Sequence, residues 1–129
     1  MDGSPDITLF RGWEDYGKYV WSPYVTKVEV RLRFAGVRYG VDSGSPRTAP
    51  RGKIPYVEYR PPPPPSSGTS RSASQEPALL SDSTLIIKTL TKCDVVPDLN
   101  AGLAAEDRAT DLALRALLED KLYYYHVSP

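Results

Sequence analysis

The chain has 129 residues, a mass of 14.3 kDa, and 16 basic against 16 acidic side chains, so its formal net charge is zero. A neutral chain with a pI of about 6.6 lacks the basic excess that nucleic acid or an anionic membrane surface selects. A single Cys and a single His exclude an intrachain disulfide and a Cys-rich zinc site, and no carboxylate cluster builds another metal centre. The length admits one ordinary domain of about 100–150 residues. No apolar stretch reaches the ~20 residues that span a bilayer. The acidic start, Met1 to Asp6, resembles neither a signal peptide nor a transit peptide. The expected compartment is therefore the cytoplasm, where a lone thiol at Cys93 stays reduced.

Taken in chain order, Asp6 to Phe10 alternates and is β-rich, predicting a short strand. Residues 11–21 read as a loop dense in aromatics, with Trp13, Tyr16, Tyr19 and Trp21 expected to cap the sheet edge. Residues 22–36 fit two patterns. Val28 to Phe34 alternates as a strand would, while Val25, Val28, Leu32 and Ala35 form a helical stripe. Ser22 before Pro23 is an N-cap with proline at the first helical position, and Gly36 is a helix stop; this punctuation favours a helix. Glu29, Arg31 and Arg33 then read as its solvated face.

Val37 to Val41 predicts a second strand, residues 42–52 a loop, and Lys53 to Tyr59 a strand with Pro55 near its start, where proline is tolerated. Five of the 13 prolines form one run, Pro61 to Pro65, followed by a Ser-rich stretch to Glu76. That insertion cannot bury enough apolar surface to fold. Its prolines suit a proline-recognising partner domain, against the blander reading of an inert spacer. Ala78 to Leu80 predicts a fourth strand, and the N-cap-rich Ser81-Asp82-Ser83-Thr84 opens a helix ending near Cys93, itself read as a small apolar filler. After a linker, residues 103–122 are strongly helical, with Ala109, Leu112, Ala113, Ala116 and Leu117 expected to mark the buried face. More helix follows through Tyr123 to Val127.

The order β, α, β, β, β, α resembles the amino-terminal half of a glutathione transferase, a thioredoxin-like α/β fold. Ser22-Pro23-Tyr24-Val25 stands where glutaredoxin-like proteins carry Cys-Pro-Tyr-Cys. Arg51-Gly52-Lys53-Ile54-Pro55-Tyr56-Val57 resembles the segment before the cis-proline strand of glutathione transferases. Ser81-Asp82-Ser83-Thr84 resembles their acidic-Ser pair. In detail the chain looks closest to the failed axon connections family, relatives of the metaxins. The resemblance implies a tail at 1–5 and a thioredoxin-like domain at 6–93 with an insertion at 61–77. It also implies a linker and the first helix of a truncated all-α domain at 94–129.

The resemblance further implies glutathione as ligand or substrate and no metal. Pro55 would be cis, with the N–H and C=O of Ile54 gripping the glutathione backbone. Ser83 would take the γ-glutamyl carboxylate and Asp82 the ammonium. A plain N-cap at Ser81 or Asp82 is compatible with that. Ser22 is the candidate catalytic residue, its hydroxyl donating to the glutathione sulfur; alternatively it is only the helix N-cap. Disulfide exchange at this site is excluded, because Ser22 and Val25 stand where two thiols would be needed. The other expected function is a non-catalytic, metaxin-like scaffold. A homodimer is implied for a full-length protein.

Overall fold

The computed structural model describes residues 6–13, 18, 20, 22–62 and 76–127. Two compact units divide at Pro97, and each is described by itself.

The first unit is a four-stranded sheet with two helices. Strand β1 spans Asp6–Phe10, helix α1 Pro23–Phe34, strand β2 Gly40–Asp42, strand β3 Tyr56–Arg60, strand β4 Ala78–Ser81 and helix α2 Ser83–Lys92. The sheet order is β2-β1-β3-β4, with β1 and β2 parallel and the remaining pairs antiparallel. This is the mixed thioredoxin-like arrangement that the element order predicts. Parallel strands cannot be joined by a tight turn, so α1 serves as the β1–β2 crossover.

The register places the ends of the strands. Phe10 pairs with Tyr56, and Tyr56 pairs with Ser81, so one row of the sheet runs through all three. Asp42 ends β2 beside Phe10 in the same row. The chain leaves β1 toward α1, enters β3 from Pro55 and leaves β4 toward Asp82 along this single rim. Asp6 and Arg60 face each other at the opposite rim, with an exposed ion pair at 3.7 Å.

Alternation along the strands turns Ile7, Leu9, Val57 and Tyr59 toward the helices. They pack with Val28 and Leu32 of α1, Ile86 and Leu90 of α2, and Val96. Val25, Val28 and Leu32 are buried as the helical stripe requires. Each such side chain contributes about 1.5–3 kcal/mol on leaving water. α1 begins with Ser22 as N-cap and Pro23 at the first position, and turns off at Gly36, whose φ of 67° suits glycine. β2 is shorter than the stretch 37–41 suggests and ends one residue later, pairing only with Thr8 to Phe10.

Three further expectations are corrected. Glu29 and its arginines are not a free solvated face. The Glu29 carboxylate, 13% exposed, meets the Arg11 guanidinium at 3.4 Å and the Arg33 guanidinium at 3.3 Å. Arg31 donates to the Pro97 carbonyl at 2.8 Å. Cys93 is exposed rather than core filler, since α2 ends there and Val95 and Val96 fill the core instead. Trp13 is exposed and caps nothing, whereas Tyr16, Tyr19 and Trp21 lie outside the described residues, as does the insertion from Pro63 to Gln75.

The second unit starts at Asp98. Helix α3 spans Ala105–Ala116, continues as a π-helical segment, Leu117–Leu122, and ends in α4, Tyr123–Val127. Glu106 and Asp107 sit in its first turn, where carboxylates favour the helix dipole. Asn100 and Arg115 both donate to Asp111 Oδ2, at 2.9 and 2.8 Å. The expected buried face is absent. α3 buries no residue, and Leu112, Leu114, Leu117, Leu118 and Leu122 are all exposed. The amphipathic pattern specifies a helix, but among the described residues of this unit none buries its apolar face.

Candidate ligand site at one rim of the sheet

The rim that carries Phe10, Tyr56 and Ser81 also carries each sequence-predicted site residue of strands and helices. Ser22 opens α1 after the loop leaving β1. Ile54 and Pro55 precede β3, and Asp82 and Ser83 follow β4. The Ile54–Pro55 peptide bond is cis and Pro55 is buried.

Ile54 packs against Gly12. Gly12, at φ 83°, passes so close that a Cβ there would stand 3.2 Å from the Ile54 side chain. Two residues along, Tyr56 stacks on Phe10, with ring centroids 4.3 Å apart and planes within 6°. The Tyr56 hydroxyl is bonded to Thr48 Oγ1 at 2.8 Å, which anchors the 43–55 loop. Gly44 is required at this point, because a Cβ there would lie 2.5 Å from the Tyr56 hydroxyl oxygen. Among the described residues no backbone hydrogen bond engages the N–H or C=O of Ile54. A half-buried residue with an open backbone edge in a rigid surround is set to pair with an extended peptide.

The start of α2 forms the second part of the rim. Asp82 is the N-cap; its carboxylate accepts from the Thr84 N–H at 3.0 Å. Its backbone sits at φ 73°, ψ 121°, in the half of the map that favours glycine. A non-glycine residue there costs about 1–3 kcal/mol, and such residues concentrate at ligand clamps. Ser83 is buried beneath it.

Sequence reasoning missed Lys27. Its ammonium reaches from α1 to the start of α2, donating to Ser83 Oγ at 3.3 Å and Thr84 Oγ1 at 2.9 Å. A cation at a helix N-terminus opposes the helix dipole, so this end of α2 is more positive than the helix alone would make it. The available signal was its place near the start of α1, five residues beyond Ser22. Its partners lie more than fifty positions away and carry no trace in local pattern.

The Ser22 side chain makes no capping hydrogen bond, although its carbonyl accepts from the Thr26 N–H at 3.3 Å. Its hydroxyl is therefore not consumed by the helix it starts. The described residues contain no group of His, Cys, Asp and Glu suited to a metal ion. None of their helices is long and apolar enough to cross a membrane.

Comparison with known proteins identifies the family and the fold. The profile of the glutathione S-transferase N-terminal domain matches residues 23–128, a stretch that begins one residue after Ser22 and includes Ile54, Pro55, Asp82 and Ser83. Failed axon connections from Drosophila melanogaster is 32% identical over 104 residues, covering 80% of this chain and 21% of that protein. Among solved structures, glutathione transferase Omega 2S from Trametes versicolor in complex with 2,4-dihydroxybenzophenone superposes with a TM-score of 0.58 at 23% identity. The match covers 90% of this chain and 47% of the other. The same enzyme in a second crystal structure gives a TM-score of 0.57 at 22% identity, covering 90% and 48%. The chain thus spans about a fifth of the curated relative and about half of the matched structures.

Proposed function

The chain belongs to the glutathione S-transferase N-terminal domain family, and from that membership we propose that its first unit binds glutathione along the rim just described. The carrying observation is the row Phe10–Tyr56–Ser81. It brings the open backbone of Ile54 and the start of α2 to the same rim of one sheet. In this reading the N–H and C=O of Ile54 pair with the cysteinyl backbone of the tripeptide. Ser83 takes the γ-glutamyl carboxylate, with the Lys27 ammonium supplying the charge that a helix terminus and a hydroxyl alone do not. The Asp82 carboxylate takes the γ-glutamyl ammonium. The unusual backbone at Asp82 supports this, since residues held at such angles concentrate at ligand clamps.

Ser22 is the candidate for thiol activation. A hydroxyl that donates to the sulfur favours the thiolate and lowers its pKa. The thiolate then attacks an electrophilic carbon, forming the S–C bond as the leaving group departs with its electron pair. The chain's single thiol, Cys93, lies at the far end of α2, so disulfide exchange at the rim has no nucleophile.

Isothermal titration of the wild type, Ser83→Ala and Lys27→Met with glutathione tests the binding. The wild type is expected to bind, and Lys27→Met to weaken it about tenfold or more, as for a lost hydrogen bond to a charged group. Heat absent at millimolar glutathione removes the reading. Conjugation of a test electrophile that is lost in Ser22→Ala marks a transferase. Binding without conjugation marks the second reading, a non-catalytic metaxin-like module that keeps the ligand site.

A further inference from the structure

The rim contains a buried cation that the ligand contacts do not use. Arg11 follows β1 directly, and its backbone N–H donates to the Asp42 carbonyl at 2.9 Å, fixing it one position beyond the Phe10–Tyr56–Ser81 row. Its side chain is only 3% exposed. The guanidinium Nε faces Glu29 Oε2 of α1 at 3.4 Å, and Nη2 donates to the backbone carbonyl of Lys18. Glu29 is held in turn. Its other oxygen accepts from the Tyr39 hydroxyl at 3.0 Å and from Arg33 Nη2 at 3.3 Å, while Arg33 Nε donates to the Tyr39 oxygen at 2.9 Å. Burial pushes the Tyr39 hydroxyl up, so the hydroxyl keeps its proton for Glu29.

Removing a guanidinium from water costs several kcal/mol, and an apolar side chain of similar size would fill the same volume without that cost. A fork at this position supplies what an apolar residue cannot. One arm meets the carboxylate on α1, and the other holds a backbone carbonyl four residues before Ser22. The Lys18 side chain is exposed while its carbonyl is tied down.

We propose that Arg11 is a positioning residue, whose guanidinium ties the Lys18 carbonyl to Glu29 of α1, the helix that Ser22 opens at the rim. The inference rests on the glutathione reading for its functional consequence and on its own contacts for its structural one.

Limited trypsin digestion of the full chain, followed by mass spectrometry, separates the two. Trypsin cleaves after Lys18 and also after the exposed Lys53, so their rate ratio cancels global unfolding. In Arg11→Met the ratio of Lys18 to Lys53 cleavage is expected to rise at least about tenfold, as for a lost charged hydrogen bond. Glutathione affinity is expected to fall alongside it. If Arg11→Met does not fold, Arg11→Lys carries the test. It keeps the cation against Glu29 but lacks the second arm, so the ratio rises there too. An unchanged ratio in the folded variant overturns the proposal. A raised ratio with unchanged glutathione affinity overturns its link to the site. A wild type that binds no glutathione removes the ligand reading alone, and a raised ratio then still supports Arg11 as the anchor of Lys18.

Discussion

The two units place their apolar side chains differently. In the unit ending at Pro97, Ile7, Leu9, Val28, Leu32, Val57, Ile86 and Leu90 come from four elements and are all buried together. In the unit beginning at Asp98, seven leucines stand on a continuous helical stretch and its lead-in, and all are exposed. The first unit is thus specified by pairing and packing between distant segments. The second is specified by local terms: helix propensity, carboxylates in the first turn and the Asp111–Arg115 pair. Local terms are worth tenths of a kcal/mol each, whereas a helix in a folded protein normally draws its stability from a packed face. The candidate rim belongs to the first kind of structure.

Mutation should expose that contrast most strongly in the cores. Leu9→Ala, at a fully buried position, is expected to cost about 2–5 kcal/mol, and Leu112→Ala within about 0.5 kcal/mol of nothing, by urea denaturation. Equal costs would show that the second unit has a core of its own. At the rim, Asp82→Gly relieves a backbone angle that costs about 1–3 kcal/mol and sacrifices only a few tenths of capping. A net gain of about 1 kcal/mol is expected, together with weaker glutathione binding. A loss of stability would mean that the Asp82 carboxylate serves the fold rather than the ligand.

A pH series sharpens the comparison further. Burial, with Cys93 beside it, raises the Tyr59 hydroxyl above its ordinary 10.0. The folded state therefore holds that proton more tightly than the unfolded chain. The associated stability is full below pH 10 and is lost as pH rises above it. Tyr59→Phe is expected to flatten this part of the urea-midpoint profile between pH 9 and 11. An unaltered slope would assign the loss to Tyr39, whose hydroxyl is also raised, chiefly by burial. The smallest effect belongs to the second unit. Arg115→Ala should remove about 0.3–0.5 kcal/mol, read as a small loss of helical circular dichroism that vanishes at high salt.

Much of the fold was legible in local pattern. β1 starts and stops where alternation does, and α1 is bounded by Ser22-Pro23 and Gly36, with Val25, Val28 and Leu32 buried as the stripe requires. The Ile54-Pro55 and Asp82-Ser83 pairs were legible as motifs, and the register then sets them at one rim. What stayed hidden depends on distant partners. Lys27 gains its role only because α1 and α2 meet at their starts. Glu29 reads as part of a solvated face and Arg11 as the start of a loop, because nothing local reports that a strand end and a helix turn will close on each other. The outward leucines of α3 misled for the converse reason: amphipathicity states which face a helix would bury, not whether a partner is there.

The opposite rim has a practical meaning. Arg60 and Ala78 border the connection between β3 and β4, on the side of the sheet away from Ile54 and Ser83. Doubling the length of a connection costs only about 0.6 kcal/mol of closure entropy. The chain therefore offers an engineering port there. A fluorescent reporter or affinity tag spliced between Pro62 and Glu76 is expected to leave the strand register untouched, at the rim opposite Ile54 and Ser83.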